Sequence, residues 1–153
     1  MRRLAFTVFA TMLVLALTSA YSVAKDETVD EMKTRFESAR PEDRAELGIR
    51  IAQQELRNAD RLYKDGNAEQ ARASVDDIAT YSEKARDAAT KTNKRLKNVE
   101  IEVRKIADKL RDIKRTLPFD DQGPIDRDIR RLEDVRTTLL KAMFAKDEKK
   151  ENK

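Results

Sequence analysis

The side chains that most often move protons near neutral pH, or attack as soft nucleophiles, are missing from this chain: it has no histidine and no cysteine. That removes the imidazole general base, the thiolate nucleophile and the His/Cys zinc site together. Carboxylates remain. Asp76-Asp77 and Asp120-Asp121 are adjacent acidic pairs, but glycoside hydrolysis needs two carboxyls facing each other across a cleft. Asp120 and Asp121 stand close to Gly123 without the ligand run of a calcium loop, and turn chemistry accounts for them. The expectation is a protein that is not an enzyme, with no catalytic residue, no metal and no cofactor.

Basic residues carry a stronger pattern. Residues 91–117 hold ten lysines and arginines against four acidic residues, while residues 26–90 carry a net negative charge. Lys97, Arg104 and Arg111 recur at seven-residue spacing, and Lys94, Lys105 and Arg115 flank them. On a helix these six form a basic face suited to an acidic protein partner, an anionic lipid or a cell-envelope polymer. The competing account is a solvated face with internal pairs, Glu100 to Arg104 and Asp112 to Arg115. Ile101 lies within that outward face, where an aliphatic side chain is out of place.

The N-terminus bears on compartment. Met1-Arg2-Arg3 is a short basic start, and Leu4 to Leu17 is apolar apart from two threonines. Ser22-Val23-Ala24 then places small residues where a signal peptidase reads them, with Thr18-Ser19-Ala20 as a second candidate. The expectation is a signal peptide over 1–24, cut between Ala24 and Lys25, and an exported product that is periplasmic or secreted. A retained signal anchor, tethering the protein to a membrane, is the rival. Export makes nucleic acid an unsuitable partner. With no cysteine in an oxidising compartment, packing alone must stabilise the fold.

Periodicity shows what presents the basic face. Charged residues make up 41% of the chain, a composition compatible with disorder, yet the apolar residues recur at helical spacing. Val29, Met32, Phe36 and Ala39 mark a first helix over about 27–39, stopped at Arg40-Pro41. Ala45, Ile49, Ala52, Leu56, Ala59 and Tyr63 keep one face of a second, over 41–64, with Leu47 and Ile51 as a side strip that should receive the first helix. Gly66 and Asn67 provide the turn.

From Ala68 the same stripe continues to Leu117 with no proline or glycine. This predicts one central helix over 68–117, about 50 residues and roughly 75 Å long. Pro118 to Pro124 reads as a break and turn, followed by a helix over 125–145 and a charged flexible tail over 146–153. The fold class expected is all-α: antiparallel, coiled-coil-like helical hairpins sharing that long helix, in one domain over 25–145. A compact four-helix bundle is the alternative, and it requires a bend between Ala88 and Asn93, where the stripe is weakest.

Ala59, Leu62, Gly66 and Ala71, followed by Val75 and Ile78, resemble the helix-turn-helix core of a single tetratricopeptide repeat over about residues 52–79. No proline closes the second helix and no second repeat follows. The resemblance implies a peptide-binding role, not catalysis. The functional expectation is therefore a non-catalytic exported protein acting by protein–protein contact, as a scaffold, an adaptor or by self-association. A periplasmic holdase-type chaperone is the alternative.

Overall fold

A computed structural model of the protein describes residues 27–151, with side chains through residue 145. The expected signal peptide over 1–24 and the expected cut between Ala24 and Lys25 lie outside the described residues. Within them the fold is all-α, with five helices and no strand: α1 (Val29–Ser38), α2 (Pro41–Lys64), α3 (Ala68–Thr92), α4 (Leu96–Arg115) and α5 (Phe119–Glu151). None is long and apolar enough to cross a membrane.

Local chemistry sets most of the boundaries. Thr28 and Glu31 close a capping box on α1, the Thr28 backbone N–H donating to the Glu31 carboxylate at 2.8 Å. Pro41 occupies the first turn of α2, where its missing N–H costs nothing. Gly66 ends α2 at φ 77°, its N–H donating to the Tyr63 carbonyl while Asn67 N–H reaches the Leu62 carbonyl at 2.8 Å. This is the Schellman closure that glycine permits.

Side-chain pairs across the seams establish the helix directions. Glu55 and Asp77 share the Lys33 ammonium, and Gly48 sits against Tyr81 and Ala85, so α2 and α3 are antiparallel. Lys114–Asp126 and Glu100–Arg136 make α4 and α5 antiparallel as well. Glu46–Arg95 and Gln53–Glu102 place α4 parallel beside α2, and Arg72–Asp121 and Glu83–Arg131 place α5 parallel beside α3. The four long helices enclose one core: Ile51, Ile78, Val103, Leu110, Leu132 and Leu139 are fully buried. Helix α1 lies across α2 and α3, its Phe36 ring edge-on to Tyr81 with centroids 5.5 Å apart.

The expected central helix over 68–117 is two helices. Helix α3 stops at Thr92, Asn93 takes φ 54° and Arg95 φ 61°, and α4 starts at Leu96. The Asn93 N–H donates to the Thr90 carbonyl and the Lys94 N–H to the Ala89 carbonyl, repeating the closure at Gly66 with asparagine in glycine's place. A left-handed L-residue costs about 1–2 kcal/mol. Folding α4 back buries Leu96, Val99, Val103, Ile106 and Leu110, each contributing roughly 1.5–3 kcal/mol, so burial outweighs helix continuity. The break meets the requirement of the four-helix alternative.

A second boundary also differs. The turn read from Pro118 to Pro124 shrinks to Thr116–Pro118, and α5 starts at Phe119 with Pro124 inside it. Pro124 forgoes one backbone bond near an exposed helix start. The turn is held instead by Asp121 N–H donating to the Pro118 carbonyl and Gln122 Nε2 to the Leu117 carbonyl, both at 3.0 Å. The α5 backbone continues through 151.

Candidate functional site

The six basic residues do not act alike. Lys94 donates to Glu42 at 2.7 Å, and this bond holds the Glu42 carboxyl below its ordinary range. Lys105 pairs with Glu102 and Arg115 with Asp112 on their own helix. Arg111 turns into the α4–α5 seam, where it donates to Asp108 at 2.7 Å and also to Glu133. The seven-residue row is therefore broken at Arg111. Lys97 and Arg104 remain exposed, and no ion pair engages either among the described residues.

Arg104 is free because its expected partner is taken. Glu100, 7% exposed, accepts from Arg136 Nε of α5 at 3.2 Å instead of pairing along α4. Arg136 also donates to Glu133 at 2.8 Å, so Arg111, Glu133, Arg136 and Glu100 form one alternating chain through the seam. An exposed i,i+4 pair is worth about 0.2–0.5 kcal/mol. A half-buried arginine shielded from water binds the carboxylate more strongly.

Ile101 shares the face of Lys97 and Arg104, at spacings of four and three residues. It is half-buried and lines an open cleft of about 320 Å³ between α2 and α4, with Ala45, Ile49 and Val99 as its apolar part and Glu46, Arg50, Gln53, Arg95, Asn98 and Glu102 as its polar lining. That volume lies at the small end of ligand pockets, roughly 300–1,000 Å³. Arg50, which also borders two further clefts beside α1, is exposed and makes no ion pair among the described residues. Sequence spacing marked Ile101 and the two free cations. It did not mark Arg50, because nothing local indicates that α4 stops short of covering that side of α2.

The acidic pairs are distributed into structural roles. Asp77 accepts from Lys33 of α1 at 2.6 Å, while Asp76 accepts from Arg131 at 2.8 Å and Asp121 pairs with Arg72, both across the α3–α5 seam. Asp120 is exposed. Asp76 and Asp77 thus face different cations and do not converge. Sequence reading missed the most buried carboxylate, Asp128, which is 1% exposed and held by Arg131 at 3.0 Å and by Arg127 at 3.3 Å.

The chain matches no protein-family model, no curated protein and no solved structure. The likeness of residues 52–79 to a tetratricopeptide hairpin therefore has no family match behind it, although Ala59 and Ala71 are both fully buried.

Proposed function

We propose that this protein is an exported, non-catalytic helical module that works by protein–protein contact, as a scaffold, an adaptor or by self-association. The observation that carries this reading is the Lys97–Ile101–Arg104 face. Two exposed cations that form no ion pair among the described residues flank an aliphatic side chain lining the α2–α4 cleft, whereas the other four basic residues are paired within the fold. An aliphatic side chain flanked along its helix by two exposed cations suits an acidic, partly apolar protein segment. Asp76, Asp77 and Asp121 serve as counter-ions to the packing helices. A mature N-terminus at Lys25, read by mass spectrometry of the product outside the cytoplasm, belongs to the same reading. An intact Met1 on that product favours the membrane-tethered form.

A photo-reactive residue in place of Ile101 tests the contact in the living source cell. The expected result is one or a few discrete adducts that disappear when Lys97→Glu and Arg104→Glu are combined, with the same probe at Arg130, exposed on α5, giving none. A broad smear of adducts, joined by suppression of client aggregation with the purified chain, identifies a holdase-type chaperone. No adduct at Ile101 removes this surface from consideration.

A further inference from the structure

The α3–α4 junction combines two features that conflict in a closed monomer. The apolar stripe passes through it in unbroken register, with Ala85, Ala89 and Thr92 before and Leu96, Val99 and Val103 after, and no proline or glycine intervenes. Yet three residues reverse the chain there, and two of them, Asn93 at φ 54° and Arg95 at φ 61°, hold a left-handed backbone. Beyond this hinge the α4–α5 pair packs on the α2–α3 pair through a mostly non-local interface. Gln53 donates to Glu102 at 2.8 Å, and Arg131 reaches Glu83, Thr80 and Asp76.

We infer that the chain has a second state, a domain-swapped dimer with another copy of itself, in which residues 68–115 form one continuous helix. This deepens the self-association half of the reading above and rests on it. In the dimer each α4–α5 pair leaves its own α2–α3 and packs on that of the partner chain, so the bundle interface forms again between copies. The arrangement is a closed two-fold, with two straight helices of roughly 72 Å. Both left-handed residues relax to helical backbone, and the hydrogen bonds broken at the hinge are restored. The ion pairs flanking the hinge, Lys94–Glu42 and Arg95–Glu46, are exposed and contribute little to holding it closed. Short, strained hinges favour this exchange, and protein concentration sets the balance because only the dimer pays for association.

The chain has no cysteine, so Gln53→Cys with Glu102→Cys makes a clean reporter of which chain supplies α4. A short bis-maleimide joins these two positions within one chain in the closed monomer and between two chains in the swapped dimer. The purified chain carrying this reporter is refolded at low and at high concentration in three forms: native hinge, Asn93→Ala/Arg95→Ala and Asn93→Gly/Arg95→Gly. Alanine disfavours the left-handed hinge and glycine accommodates it, so dimer dissociation constants should differ by about tenfold or more, the alanine form being tighter. The cross-link should be inter-chain in the alanine form and intra-chain in the glycine form. A folded alanine form that stays monomeric after refolding at high concentration overturns the proposal. Dimers whose cross-links remain intra-chain also overturn it while leaving surface self-association standing. Should the alanine form not fold, the native hinge must show more inter-chain product than the glycine hinge, and equal amounts reject the swap. The Ile101 adducts are scored independently, so either result can fail alone.

Discussion

The Arg131 guanidinium of α5 grips the Glu83 carboxylate of α3 through both oxygens, at 2.8 and 3.0 Å. The same guanidinium donates to Asp76, Asp128 and the Thr80 hydroxyl. Its hydrogen bonds to Glu83, set against burial, hold the group well above its ordinary pKa. One side chain thus ties α5 to α3 and neutralises the most buried carboxylate.

Arg131→Met should lower stability by roughly 3 kcal/mol, because Asp128 then depends on Arg127 alone, an exposed residue with longer contacts. Adding Asp128→Asn should recover much of that loss. Urea unfolding of the single and double variants measures both, and equal midpoints for the two would show that the buried charge is not what the arginine compensates.

Gly48→Ala tests how closely α2 and α3 approach. A β-carbon there would lie 2.9 Å from the Tyr81 carbonyl oxygen, 3.1 Å from Ala85 Cβ and 3.3 Å from the Phe36 ring. Alanine gains about 1 kcal/mol of helix propensity, but the first contact is with backbone that cannot swing aside. Overpacking costs typically 1–3 kcal/mol, so the net change should be destabilising by about 1 kcal/mol. A lower thermal midpoint with weaker hydrogen-exchange protection of α1 is expected; a raised midpoint would mean the helices separate freely.

The Tyr63 hydroxyl is buried without a hydrogen-bond partner among the described residues, and burial raises its pKa. Removing an unsatisfied polar atom relieves a desolvation cost of about 1–3 kcal/mol, part of which the folded chain already recovers by relaxation. Tyr63→Phe should therefore be neutral or stabilising, by up to about 1 kcal/mol. A clear drop in the denaturation midpoint would reveal a partner that the hydroxyl serves.

Stability should be flat across neutral pH and fall in alkali. Burial pulls the Lys33 ammonium down, but hydrogen bonds to Asp77 and Glu55 outweigh it and hold the group above its ordinary 10.5. Burial raises the Tyr63 and Tyr81 hydroxyls above 10.0. All three folded values exceed the unfolded ones. Their stabilisation is complete below the unfolded values and is lost as pH climbs from about 10 through the folded values. With no histidine in the chain, no imidazole titrates between about pH 6 and 8. Urea midpoints should agree at pH 6 and 8 and decline above pH 10.

What the sequence determined by itself was helical class and most helix ends. Stripe spacing, Pro41 and Gly66 are local signals whose effect depends on neighbours within one or two turns. Tertiary structure decided how those helices share a core. A stripe of fours and threes reads the same in a straight helix and in two helices folded together. The break at Asn93 and Arg95 was therefore legible only as an asparagine at the edge of a weak stretch, able to stand where Gly66 stands in the previous turn. Burial of Leu96 to Leu110 against other helices made that turn form. The same competition assigned the basic face. Glu100 has Arg104 one turn away in sequence and Arg136 across a seam, and the partner shielded from water wins because the field between charges strengthens as solvent leaves. Arg104 is thereby left outward beside Ile101.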